Sequence, residues 1–310
     1  MTRGRLVFLL LVAAALALPP LLREIGETYY LGFAARVMIY GLAAQSLNLV
    51  VGTGGMVSFG HAAFVGLGAY AVAVLAANGI VSGVLAWPAA VALSSFAALI
   101  IGAISLRTRG VYFIMITLAF AQMLFFLAVS LKAYGGDDGL RMPGRSTLPG
   151  VDISGDGTFY HVTLLVVALA MAALDRIRRA RFGRALEAVR DNEVRAAAVG
   201  LPVFRYRLAG FVIGGAFAGL AGALMANLNG FVAPANLAWQ ESGLLLVMVI
   251  LGGLAHPLGG LLGAAAVLGF EEVAKAWTIH WPIGLGLVLL AVVLTGRRGI
   301  ADLVRRARPA

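Results

Sequence analysis

Apolar residues along this chain gather into long runs, and the breaks between them are short and either polar or rich in glycine. A helix needs about 20 predominantly apolar residues to cross a hydrocarbon core of about 30 Å. Ten runs approach that length with varying clarity: residues 6–22, 29–51, 61–77, 80–106, 111–131, 160–174, 208–226, 243–254, 258–277 and 281–295. The pattern predicts an all-α polytopic membrane protein of about ten transmembrane helices, folded as a single transmembrane domain over residues 1–310. The eighth run is too short for a straight crossing and passes into Gly252-Gly253-Leu254-Ala255-His256-Pro257-Leu258-Gly259-Gly260. Such a break predicts a broken or re-entrant helix.

Composition removes the soluble alternative. Of 310 residues, 61% are hydrophobic and 12% charged, with a mean hydropathy of +0.94, whereas a soluble domain carries about 25% charged residues. The same excess of apolar surface excludes disorder. With no cysteine in the chain, disulfide, thiolate-metal and cysteine-nucleophile chemistry fall away, and no metal or cofactor is expected.

The net charge of +10 fits either a nucleic-acid surface or a topology signal, and the positions of the charges decide. With the N-terminus inside and every run crossing, 18 of the 24 Lys and Arg fall on cytoplasmic stretches, leaving Arg23, Arg36, Lys132, Arg141, Arg145 and Lys275 elsewhere. The cytoplasmic side then carries +13 and the remainder −3, a strong positive-inside bias. It places both termini in the cytoplasm and residues 132–159 in a periplasmic loop. It also requires an even number of crossings, ten in preference to eight, and removes nucleic acid as a partner. The first run is read as a retained helix with a cleavable signal peptide as its rival, since about 17 apolar residues exceed the usual signal core of roughly 7 to 15.

Glycines at Gly210 and Gly214, Gly215 and Gly219, with Ala218 and Gly222, lie one turn apart, a spacing that lets helices pack closely in lipid. The segment from Gly52 through Gly60 to Phe64 holds four glycines in its first nine residues and cannot continue a straight helix. It is either a turn between helices or a helix break on a solute path, on which Ser58 and His61 would be polar groups; in a plain turn they would be satisfied packing groups. Gly54-Gly55 is echoed by Gly252-Gly253 198 residues later, a hint of duplicated halves. Arg36 is placed to snorkel, and Glu271 and Lys275 stand at pairing distance. No chain of carboxylates crosses the bilayer centre, so the energy for any pumping is expected from outside the chain.

The cytoplasmic stretch 176–207 holds nine of the arginines. From Arg184 to Val199 it lacks glycine and proline, Asp191 and Arg195 are spaced as an i, i+4 pair, and Gly200 with Pro202 forms a stop. These features predict one short amphipathic helix, too polar to span. Its arginines suit anionic lipid, while Glu187, Asp191 and Glu193 suit a protein socket.

At this loop the sequence resembles the permease subunits of bacterial ABC importers for branched-chain amino acids. The likeness runs through Gly55-Met56-Val57-Ser58-Phe59-Gly60-His61-Ala62-Ala63-Phe64 and Gly68-Ala69-Tyr70, then Arg109-Gly110-Val111-Tyr112-Phe113 with Ile116-Thr117-Leu118-Ala119-Phe120. It continues through Gly183-Arg184-Ala185-Leu186-Glu187-Ala188-Val189-Arg190-Asp191-Asn192-Glu193 with Gly200, Ala218-Gly219-Leu220-Ala221-Gly222-Ala223-Leu224, and Val249-Ile250-Leu251-Gly252-Gly253-Leu254. The family pattern often has glycine where Ala255 stands. The resemblance implies that 176–207 is a coupling loop in which Arg184, Glu187, Ala188, Arg190, Asp191, Glu193 and Gly200 engage an ATPase. Two ATPases, a second related permease and a periplasmic amino-acid-binding protein are the implied partners, besides lipid of a bacterial inner membrane. The length looks like that of the longer permease of the pair. Gln45, Asn48, Ser58, His61, Thr117 and Gln122 would line the path of a branched-chain amino acid, or of urea or a short amide. No Walker phosphate loop is present and no catalytic residue is expected. An ion-gradient carrier or passive channel without partners is the competing class, and a membrane enzyme is disfavoured because His61 has no carboxylate near it in sequence.

Overall fold

A computed structural model describes residues 29–278 and 280–294. Helix α1 covers Tyr29–Asn48 and ends in a π-helical turn, Leu49–Thr53. It is followed by α2 (His61–Ala77), α3 (Gly83–Ser105), α4 (Val111–Ser130) and α5 (Asp156–Arg179). Two short helices, α6 (Arg181–Asp191) and α7 (Glu193–Ala198), lead into the long α8 (Val203–Asn229). The chain continues with α9 (Trp239–Gly252), α10 (Gly259–Lys275) and α11 (Trp281–Leu294). The apolar runs from 29 onward each coincide with a helix; the run 6–22 and its signal-peptide alternative lie outside the described residues. Five helices are long and apolar enough to cross a membrane: Tyr29–Thr53, Gly83–Ser105, Val111–Ser130, Asp156–Arg179 and Val203–Asn229. The remaining apolar helices, α2, α9 and α11 among them, are shorter.

Helix α8 is the hub, packed on α1, α2 and α3, and its small residues are the reason. A methyl group on Gly215 would meet Ala98 and Ser94 of α3, one on Gly214 would meet Val50, and one on Gly222 would fall on the Val65 carbonyl of α2. Close approach of this kind replaces the hydrophobic drive that lipid cannot supply between helices. Ser94 Oγ adds a hydrogen bond to the Phe64 carbonyl at 2.9 Å, joining α3 to α2. By contrast, α3 and α4 are mostly exposed along their apolar stretches, whereas α8 and α1 are mostly buried. The outward faces of α3 and α4 leave Phe96, Ile104, Met115 and Phe126 exposed.

The helices alternate between two ends. At one end, β1 (Leu140–Arg141) pairs antiparallel with β2 (Phe231–Val232), Leu140 opposite Val232. Arg145 locks this end: its guanidinium donates to the carbonyls of Asn227 (3.2 Å), Ile153 (3.3 Å) and Ser154 (2.9 Å) and to Asp156 Oδ1 (2.6 Å). The loop 132–159 is therefore structured, with α5 already beginning at Asp156. Arg36, expected to snorkel, instead lies 3.7 Å from the buried carboxylate of Glu271, which Lys275 also engages as its spacing predicted. The other end gathers the π turn, the α3–α4 turn, the α9–α10 break and the arginine-rich α6–α7 segment.

Candidate functional site

At the arginine-rich end the backbone leaves α1 and returns into the bundle as an irregular segment, residues 54–60, before α2 starts at His61. Gly60 abuts the Thr117 carbonyl, six residues into α4 and so about 9 Å from its start. Irregular backbone this far inside survives only when its polar groups find protein partners. Thr117 Oγ1 accepts from Phe59 N at 3.3 Å, Ser58 Oγ from Gly60 N at 3.2 Å, and Ser242 Oγ from Ala62 N at 3.0 Å. The Ser242 contact satisfies a donor in the first turn of α2, whose N-cap, Gly60, has no side chain to do so. His61 Nε2 lies 2.8 Å from Ser46 Oγ, whose single proton goes to the Ala43 carbonyl at 2.7 Å. Ser46 therefore accepts, and the Nε2–H tautomer of His61 donates.

The second break, between α9 and α10, sits directly against the first. Asn48 Oδ1 accepts from Ala255 N at 2.8 Å, and its Nδ2 donates to the carbonyls of His256 (3.1 Å) and Gly253 (3.4 Å). Gln45 donates to the His256 carbonyl at 3.2 Å and accepts from Gly260 N at 2.8 Å. Two side-chain amides, one turn apart on α1, thus replace the helical hydrogen bonds that the glycine- and proline-rich break cannot make for itself. The break is a hairpin between two packed helices rather than a re-entrant loop, and the glycines permit the contact: a methyl group on Gly252 would collide with the Gly259 carbonyl, and one on Gly263 with that of Met248.

Of the residues read as a solute path, Gln45, Asn48, Ser58, His61 and Thr117 are all buried and hold the chain's own backbone or side chains in this conformation. Gln122 is half-buried on α4, away from that cluster.

The coupling segment differs from the single helix expected. Asn192 leaves helical geometry at φ −159° and ψ 102°, ending α6, and its Oδ1 accepts from Arg195 N at 2.8 Å to cap α7. Asparagine competes with the helix by this bond, so the Asp191–Arg195 pair does not form; Asp191 instead holds Arg190 at 2.8 and 2.9 Å. Helix α7 ends at Gly200, φ +85°, with Gly200 N bonded to the Ala197 carbonyl and Leu201 N to that of Ala196. This is a Schellman stop, for which glycine is the favoured residue.

One face of α6 is anchored. Leu186 and Val189 are fully buried, Leu186 lying against Gly210 of α8, and Phe182 stacks on Tyr206 at 5.7 Å. Glu193 is held from two sides, by Arg109 of the α3–α4 turn at 3.0 Å and Arg207 of α8 at 3.2 Å. Arg190 lies at the surface, and its guanidinium reaches back to donate to the Gly52 carbonyl at 2.5 Å. Glu187 is half-buried, while Arg184, Ala188, Asp191 and Arg195 are exposed. Beside them Val194 and Val199 leave 79% and 72% of their surface uncovered. The result is a rigidly mounted platform showing arginines and small apolar side chains.

Residues that sequence reasoning passed over include Ser46, Arg178 and Ser242. Lone serines in apolar helices gave no signal, and Arg178 was one of many arginines; here it reaches the Ala255 carbonyl at 3.4 Å.

The described residues thus form a helical bundle, five of whose helices are long and apolar enough to cross a membrane, with the α6–α7 platform mounted at one end. The family described as branched-chain amino acid transport system / permease component matches residues 29–296. The high-affinity branched-chain amino acid transport system permease protein LivM of Salmonella typhimurium is 30% identical over 88% of this chain and 70% of the relative, and LivM of Escherichia coli gives the same values. A guanosine ABC transporter permease protein, NupQ of Bacillus subtilis, is 26% identical over 43% of this chain and 41% of its own length. No solved structure matches. The chain belongs to the branched-chain amino acid ABC transporter permease family.

Proposed function

We propose that this chain is the membrane subunit of an ATP-driven importer carrying branched-chain or related hydrophobic amino acids into the cytoplasm. It contains no ATP-hydrolysing motif, so partner ATPases supply the work. The observation that carries the reading is the α6–α7 platform: anchored through Leu186, Val189 and Glu193, yet presenting Arg184, Ala188, Val194 and Val199 outward. A coupling element must be stiffly mounted on the membrane helices and open on its other face. The chain sits in the inner membrane with both termini in the cytoplasm and about ten crossings. A second related permease completes the membrane unit, and the loop 132–159, braced by Arg145, receives a periplasmic binding protein. A second reading keeps the machinery and changes the cargo to urea, a short amide or another small solute; the partial likeness to a guanosine permease favours it.

The docking assignment is tested by Glu187→Arg and Val194→Asp in the chain co-expressed with its ATPases. Both variants are expected to insert normally, to lose the co-purifying ATPase and to abolish uptake. Full co-purification and uptake in both contradict the assignment.

A further inference from the structure

We propose, resting on the reading of α6–α7 as the ATPase dock, that Arg190 and Asn48 are positioning residues of one linkage, made of hydrogen bonds and close packing, that carries movement of the dock to the α9–α10 hairpin. Arg190 is the end at the dock. Its Nη1 bonds the Gly52 carbonyl at 2.5 Å, while Asp191 holds Nε and Nη2 of the same guanidinium at 2.9 and 2.8 Å. Its aliphatic stem lies on Gly55, where a Cβ would meet Arg190 Cγ at 2.6 Å. The dock therefore grips both ends of the turn that closes α1.

Gly52 in turn is wedged against Asn48 Oδ1 and the Ala255 backbone, with no room for a side chain. Asn48 spends all three of its hydrogen bonds described above on Gly253, Ala255 and His256. Arg178, whose Nη2 is held by Asp175 at 3.0 Å, takes the Ala255 carbonyl from the helix immediately before the dock. Each backbone break thus has an arginine from the α5–α6 segment on one of its carbonyls, and Asn48 joins the two breaks to each other. Hydrogen bonds join Arg190 to the Gly52 carbonyl and Asn48 to residues 253–256, close packing joins Gly52 to Asn48, and the pieces so joined are the compliant ones: a π turn and an irregular break. A displacement of α6 cannot leave the Gly52 turn behind, and that turn cannot move without carrying residues 253–256.

The full complex of this chain with its ATPases, second permease and binding protein, in proteoliposomes, provides the test, with leucine as the probe and uptake per ATP hydrolysed as the readout. Asn48→Ala and Arg190→Met are expected to retain the ATPases and their ATP hydrolysis while uptake per ATP falls by about tenfold or more, the scale of a lost hydrogen bond to a charged or buried group. Arg190→Lys, which keeps a donor, restores most of the uptake. Asn48→Asp, of the same shape, keeps acceptance from Ala255 N, loses donation to Gly253 and His256, and falls between. Arg190 is at the surface, so Arg190→Met decides the matter even where Asn48→Ala fails to insert. Wild-type uptake per ATP in Arg190→Met overturns the linkage, as does release of the ATPases, which would put Arg190 on the docking face. Wild-type transport indifferent to ATP would overturn the importer reading and the linkage with it.

Discussion

Ala255 takes φ +57°, a left-handed conformation that costs an L-residue about 1 to 2 kcal/mol. It is held there by Asn48 at its N–H and Arg178 at its carbonyl. Replacing it with glycine removes the Cβ that makes the conformation costly while keeping both backbone bonds. Ala255→Gly is therefore expected to raise stability by about 1 kcal/mol, seen as a higher thermal unfolding midpoint of the detergent-solubilised chain; a lower midpoint contradicts this account of the break. The family resemblance already marked this position as one where glycine is common. The clamp was not. Asn48 and Ala255 stand 207 positions apart, and an amide that would suit a polar solute equally suits a stranded backbone. Residue type alone could not separate those uses at Gln45, Asn48, Ser58 or Thr117; only the partner atoms do.

The helices themselves were written in the apolar runs, because crossing lipid imposes a length and a composition that few other structures share. Breaks were legible as glycine clusters and the loop helix as a stretch from Arg184 to Val199 without glycine or proline, but not its division in two by a single capping asparagine. A local side-chain bond outweighed the propensity of its neighbours. Close helix packing was also legible in the spacing of small residues on α8, and it makes a quantitative prediction. Gly222→Ala would drive a methyl into the Val65 carbonyl, which cannot rotate away, and should cost about 1 to 3 kcal/mol. Gly269→Ala on α10 meets nothing within 4 Å among the described residues and should be neutral or gain up to about 1 kcal/mol from helix propensity. Thermal unfolding of the two variants side by side checks the contrast; equal effects would mean that α8 is not packed on α2 as described.

Across the whole molecule, charge and hydrogen bonding divide the two ends by different means. One end is braced by a two-stranded ladder and Arg145, and the other by arginines that reach across the turns between helices, from Arg109 and Arg207 to Glu193 and from Arg178 and Arg190 to the two breaks. The arginine-rich end thus holds the α6–α7 platform on the helices by ion pairs and hydrogen bonds. In the proposed function, this attachment puts ATP hydrolysed by partner subunits to work on solute movement through the chain. The most direct measurement is radiolabelled leucine uptake into proteoliposomes holding the full complex, with ATP supplied only on the ATPase side and binding protein on the other. Uptake that requires ATP and stops when hydrolysis is blocked is the predicted result; uptake by this chain alone, driven by an ion gradient and unaffected by ATP, would contradict it.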